Sequence, residues 1–187
     1  MSTSDINRTN QYLTFSLSDE LYALEVSKVK EVLEYQTITR VPKTPEFMRG
    51  VINVRGGIVP IVDLRLKFNL PAKERTVDTC IIVLEIALNN ETITVGTIAD
   101  NVHEVIEIQP DQIEPTPRIG TRLDTDFIEG IGKHNERFIV ILNIDKILTA
   151  EEITSMADQA GTQSAAGENT SQNAEDTGHT DQPNDSL

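Results

Sequence analysis

The sequence has no tryptophan, a single cysteine and few aromatic residues, three tyrosines and five phenylalanines among 187 residues. Each shortage closes off a class of function. So few rings make a base-stacking surface a poor reading. Basic residues are also scarce, with 16 Lys+Arg against 30 Asp+Glu, and a net charge of −14 repels a phosphate backbone. Cys80 has no partner for a disulfide within the chain. No apolar run approaches the ~18 residues that a membrane helix needs. The opening "MSTSDINRTNQ" lacks the apolar stretch of a secretory signal. These absences predict a soluble cytosolic protein that neither binds nucleic acid nor inserts into a membrane.

Catalytic signatures are missing as well. There is no G-x-S-x-G elbow. The pair Gly56-Gly57 is not followed by Lys-Ser or Lys-Thr, and it does not open a G-x-G-x-x-G motif. Its backbone amides could hold an anion, but a tight turn needing positive φ is the plainer reading. His103, His134 and His179 stand far apart, with no metal-ligand spacing. Cys80 lies in an apolar run without a basic neighbour, as a small buried hydrophobe would. Asp63 and Asp100 end strand-like segments with no identifiable partner, which favours turn or cap roles. No catalytic, cofactor-binding or metal-ligating residue is predicted.

What is present divides the chain in two. Residues 11–150 are rich in Ile, Val and Leu, whereas 155–187 are rich in Ser, Thr, Asn, Gln, Asp and Gly. After Ala150 there are eight acidic residues and no Lys or Arg; the preceding part carries 16 basic against 22 acidic residues. We therefore expect a flexible lead over 1–10, a folded domain over 11–153, and a disordered acidic tail over 154–187, either simply solvating or an interaction arm.

The body reads as mainly β. "YLTFSLS" alternates with period two, and "SDEL" turns it into "LYALEV" as a hairpin. "VINV", "IVPIVDL", "TCIIVLEIAL", "TITVGTIA", "EVIEI" and "RFIVILNI" are further strand candidates, bounded by Gly, Pro, Asn and Asp. Pro60 belongs on an edge or at a bulge. Short helices are expected at "VSKVKEVLE", where Val26, Val29 and Leu33 share a face, at "TPEFMRG", with Thr44 as cap and Gly50 closing the end, and at "DKILTAEEI". The letters show no convincing internal repeat. Many short strands in so few residues predict barrels or a sandwich.

A binding module is what these features leave. Arg55, at a turn between apolar strands, is placed to reach a partner's carboxylate or backbone carbonyl, or to brace the fold on Glu31. "VSKVKEVLE" mixes Val29 and Val32 with Lys28 and Glu31, so that one valine could stay at the surface among charges.

Here the letters match a known family. "FSLSDELYALEVSKVKEVLEY", "ITRVPKTPEFMRGVINVRGGIVPIVDLRLKF", "VGTIADNVHEVIEI" with "QIEPTP", and "FIEGIGKHNERFIVILNIDKIL" resemble CheW, the coupling protein family of bacterial chemotaxis, in order and spacing over residues 11–153. The resemblance implies two small packed five-stranded β-barrel subdomains with an apolar seam, a few short helices and no catalytic activity or cofactor. It implies an adaptor that binds the cytoplasmic tip of methyl-accepting chemotaxis receptors and the regulatory domain of the histidine kinase CheA, in arrays at the inner face of the membrane. Carried over by position, the receptor-binding residues would be Val29, Glu31, Gly50, Asn53 and Arg55. Val54 stands where similar proteins usually carry leucine, and the acidic tail is longer than the family needs. A coupling protein of another chemosensory system is the nearest alternative. A small β-barrel enzyme and a self-associating structural β-protein are alternatives from other classes. CheV-type proteins add a receiver domain, for which no length remains.

Overall fold

The computed structural model describes residues 10–116, 126–152 and 154–155. The described residues form ten strands: β1 (Gln11–Leu17), β2 (Glu20–Glu25), β3 (Val29–Glu34), β4 (Met48–Val54), β5 (Gly57–Val62), β6 (Cys80–Leu88), β7 (Glu91–Ala99), β8 (Asn101–Glu107), β9 (Ile128–His134) and β10 (Arg137–Leu142). Among the described residues helix is confined to short pieces, the α-helical turn α1 (Leu64–Lys67), 3-10 turns at Val26–Lys28, Pro110–Gln112 and Ile144–Lys146, and a helical start at Ala150.

The strands make two five-stranded sheets, ordered β8-β1-β2-β10-β9 and β3-β6-β7-β5-β4. Neighbours are antiparallel except for the β2–β10 and β5–β7 pairs. The two sheets have the same plan. In each, one hairpin (β1–β2 or β6–β7) is flanked by a single strand on one side (β8 or β3) and by a second hairpin on the other (β9–β10 or β4–β5). The chain therefore contains a repeat of hairpin, strand, hairpin, and the copies are interleaved. The β1–β2 hairpin is completed by β8, β9 and β10, and the β6–β7 hairpin by β3, β4 and β5.

Three apolar clusters hold this together. One lies between the sheets and contains Phe15, Leu17 and Leu24 from the first, and Ile82, Leu84 and Ile86 from the second. Each sheet also encloses its own cluster, around Ile139 and Ile141 in the first and around Ile61 and Ile81 in the second. Strand β6 explains the division: Ile81 and Val83 face one cluster, Ile82 and Leu84 the other. A strand buried on both faces reads as a continuous apolar run, and "CIIVLEIAL" does. At the seam, Phe15, Tyr22, Phe68 and Phe127 form a stack, with centroid steps of 6.1, 6.0 and 4.6 Å.

Several local expectations need correction. Val26–Lys28 is a 3-10 turn, and Val29–Glu34 is strand β3 rather than helix. Its residues alternate between half-buried and exposed along the sheet edge, and pairing with β6 overrides the helical spacing of the apolar residues. "TPEFMRG" makes a turn, with Met48 N donating to Pro45 O at 3.0 Å, and enters β4. Gly50 sits at a bulge of that strand and closes no helix. Pro60 lies in the fourth strand of its sheet; pairing of β5 with β7 is confined to Ile61 and Val62, past the proline. The expected closing helix separates into the Ile144–Lys146 turn and a helical start at Ala150. That start is capped reciprocally, Glu152 N donating to Thr149 Oγ1 and Thr149 N to Glu152 Oε2. The sheets are also not closed into barrels, since the outer strands of each make no ladder with one another. The readings of 1–10 and 154–187 fall almost wholly outside the described residues.

Candidate functional site

The turn between β4 and β5 has two residues, Arg55 at φ 50° and Gly56 at φ 85°. Two consecutive positive φ values make the tight hairpin turn whose twist matches its strands. Glycine adopts that conformation freely, but arginine does so at a cost. Two contacts hold it there. Asn53 Oδ1 accepts from Gly56 N at 3.0 Å, and the Arg55 guanidinium grips Glu31 with both ends, Nη1 to Oε1 at 2.6 Å and Nη2 to Oε2 at 2.8 Å. The carboxylate hydrogen bonds raise the Arg55 pKa further above its ordinary value. The Arg55 side chain remains 75% exposed while Glu31 is only 16% exposed, so the fork presents one face outward.

Glu31 lies on β3 and Arg55 follows β4, the two outer strands of the second sheet. The fork thus links edges that no backbone ladder joins. Leu33, Ile52 and Val54 from the same two strands pack over the enclosed cluster. The sheet is rolled, and side chains rather than strand pairing hold its edges.

Of the five residues carried over from the resemblance, Glu31, Asn53 and Arg55 therefore form one braced unit. Gly50, at φ 136°, is buried, and a Cβ there would lie 2.0 Å from Thr39 O. Its part is close backbone approach. Val29 packs against the cluster between the sheets. Val32 is the valine left exposed, and Ile58, just past the turn, is exposed too. Neither was singled out as a site residue.

The first sheet repeats the arrangement. Its outer strands are β8 and β9, and Glu104 on β8 meets His134 on β9 at 3.4 Å, an ion pair when the imidazole is protonated. Val105 and Phe138 are the exposed apolar counterparts of Val32 and Ile58, with Phe138 at 71%. The bridge Thr39–Val51 is matched by Glu114–Ile131. The signal was in the letters, "KEVLE" at 30–34 against "HEVIE" at 103–107, but it is too short to stand out without the topology.

The remaining reactive groups have structural partners. Asp63 and Asp100, expected to lack one, share Arg65: Nε and Nη2 donate to Asp63 at 2.9 and 2.8 Å, and Nη1 to Asp100 at 2.8 Å. Asp63 caps α1 by accepting from Arg65 N, as its position suggested. Asp100 also accepts from Ser18 N at 2.6 Å. This buried cluster ties α1 to the β1–β2 turn and the β7–β8 corner. Cys80 is half-buried, and desolvation raises its pKa. His103 Nε2 lies 3.2 Å from Ser16 Oγ. Among the described residues no cluster of His, Cys, Asp or Glu could hold a metal ion. No helix of the described residues is long and apolar enough to cross a membrane.

A family model described as "CheW-like domain" matches residues 11–152, the whole described body. The chain belongs to the CheW-like domain family. It is 36% identical over 143 residues to the chemotaxis protein CheW of Klebsiella aerogenes, covering 76% of this chain and 84% of that protein. It is 36% identical over 160 residues to CheW of Bacillus subtilis, covering 84% and 99%. Among solved structures, the scaffolding protein TtCheW from Thermoanaerobacter tengcongensis matches with a TM-score of 0.68 and 38% identity, over 76% of this chain and 90% of that one. The two five-stranded units and the mainly β architecture expected from the resemblance are those of this family.

Proposed function

We infer that this chain is a non-catalytic adaptor of bacterial chemotaxis signalling, which couples methyl-accepting chemoreceptors to the histidine kinase CheA on the cytoplasmic side of the membrane. The family match along the entire described body carries this reading. The relatives named as chemotaxis proteins and the neighbour described as a scaffolding protein support it. So does the fate of the reactive side chains: the buried acids are spent on Arg65 and burial raises the pKa of the Cys80 thiol.

Receptor docking is assigned to the edge around Arg55. A guanidinium oriented by Glu31 at the tip of a rigid hairpin still offers outward donors, and Val32 and Ile58 add apolar contact nearby in sequence. Val29 and Gly50 act through packing and Asn53 through the turn. A receptor helix laying its apolar face along this edge is a familiar mode of recognition.

The deciding experiment is co-sedimentation with receptor-bearing membranes and CheA from the same organism, with kinase activity read in parallel. The chain should pellet with receptors and bring the kinase under receptor control. Arg55→Ala should weaken receptor binding about tenfold or more, as loss of a central contact does, with an unchanged circular dichroism spectrum. A folded chain that binds neither partner would overturn the reading.

A further inference from the structure

Residues 39–51 form a loop tied at its neck, where Thr39 N donates to Val51 O at 2.9 Å and Val51 N to Thr39 O at 2.8 Å. Its apolar residues anchor it. Val41 and Met48 are buried, and Phe47 packs on the cluster between the sheets. The loop is also braced from within, Thr44 Oγ1 donating to Val41 O at 2.9 Å and Met48 N to Pro45 O at 3.0 Å. What remains outside is polar: Arg40, Lys43 and Arg49 against one acid, Glu46.

In a chain of net charge −14 these cations make a local reversal of sign. Arg40 and Lys43 are exposed and Arg49 is half-buried. Among the described residues the three enter no ion pair, although Lys28, Lys30, Arg55, Arg65, Lys67 and Lys73 all do. Lys43 is also held at φ 62°, a left-handed backbone that lysine adopts at a cost and glycine freely. Among the described residues Lys43 and Arg55 are the two basic side chains placed on such backbone.

The loop runs directly into β4, which ends at Arg55. Arg55 follows Arg49 by six positions, about 20 Å at ~3.3 Å per residue. We propose that this basic collar is a second contact on the docking edge, and that it takes an acidic stretch of the partner segment that meets Arg55. The inference rests on the docking assigned above to that edge. In a helical partner the acidic stretch lies about 13 residues, nearly four turns, from the residue that meets Arg55. The loop is ordered before it binds, so little entropy is spent on fixing it. A narrow protein segment fits these charges better than an anionic membrane surface does. The segment touches the loop alone, whereas a lipid surface would also face the rest of a body with 22 acidic and 16 basic residues up to Ala150.

The test uses the full-length chain, the co-sedimentation assay with receptor-bearing membranes, and decaglutamate as an acidic probe. One variant neutralises the whole collar (Arg40→Gln, Lys43→Gln, Arg49→Gln). The milder Arg40→Gln/Lys43→Gln changes exposed positions only and should keep the wild-type circular dichroism spectrum. At low salt both should weaken receptor binding about fivefold or more. The deficit should vanish near 1 M salt, where the Debye length is about 3 Å. Decaglutamate should compete with receptor for the unaltered chain. In the isotope-labelled chain it should shift the amides of residues 40–49 and leave those of Lys133, Arg137 and Lys146 in place. If Arg55→Ala weakens receptor binding and the folded milder variant does not, the collar has no part in docking and the Arg55 edge stands. If all three variants bind receptor normally, the edge itself fails and the collar with it. A deficit that persists in high salt, a probe that settles on Lys133, Arg137 and Lys146, or collar-dependent pelleting with protein-free phosphatidylglycerol vesicles would each overturn the assignment to an acidic protein segment.

Discussion

Replacing Gly50 with alanine should damage this protein far more than the same change at Gly56, although both glycines have positive φ. At Gly56, φ is 85° and nothing lies within 4 Å of an added Cβ. The cost there is the left-handed conformation alone, about 1–2 kcal/mol. At Gly50, φ is 136° and the methyl would sit 2.0 Å from Thr39 O and 2.7 Å from its carbonyl carbon. Both are backbone atoms and cannot rotate away. The neck must open, losing the Thr39–Val51 pair of hydrogen bonds at about 1 kcal/mol each, on top of about 1–3 kcal/mol of backbone strain. The sum is about 3–5 kcal/mol, a large share of the ~5–15 kcal/mol that holds a domain. Urea denaturation followed by far-UV circular dichroism measures both variants. Equal destabilisation, or a smaller loss at Gly50, would refute the claim that close approach to Thr39 dictates this residue.

Other outcomes follow from contacts already described. Arg65→Ala strands the buried Asp63 and Asp100 carboxylates and should cost about 3–5 kcal/mol in the same denaturation assay. Phe138→Ala should change stability by no more than about 0.5 kcal/mol, being exposed, whereas Phe15→Ala, fully buried, should cost about 3–5 kcal/mol. Cys80 should react with a thiol reagent at neutral pH far more slowly in the native chain than in urea, because burial raises its pKa. Burial, with Glu25 close by, also raises the Glu129 pKa, so the folded state holds that proton more tightly than the unfolded one. Stability is therefore lost as pH rises from the ordinary carboxylate range through the folded pKa. Glu129→Gln should be mildly stabilising at pH 7, and the gain should vanish in acid, as thermal melts across pH would show.

The strands were legible where period-two alternation or a continuous apolar run met turn residues, as in β1, β6 and β10. β3 was not. Val26, Val29 and Leu33 fit a helical face, and only the β6 edge beside them settles the conformation. β9 went unremarked because Gly130 and Gly132 weaken a strand pattern. Their reason is distant in sequence: an added Cβ at Gly130 would lie 2.5 Å from Ile113 Cγ2, and one at Gly132 would lie 3.1 Å from Ile108 Cδ1. At the site, the Arg55–Glu31 pairing could be imagined from charge alone. Its meaning could not, because it joins the two ends of a sheet whose order the letters do not reveal. The Arg65 cluster was hidden in the same way, by a separation of 35 positions between Arg65 and Asp100.

The interleaving of the two halves sets a condition on biosynthesis. When the first half leaves the ribosome, β1 and β2 lack the three strands that complete their sheet, and β3, β4 and β5 surround a hairpin not yet made. The second sheet has all its strands once β7 has emerged, but the first cannot be finished until β10 has, so the N-terminal half has no route to its native state on its own. Its apolar strands must wait exposed, and contacts spanning the chain place folding at the slow end for its size. A premature stop before β10 should yield an aggregating fragment rather than half an adaptor, so partially made copies have little chance of occupying a docking site without transmitting a signal.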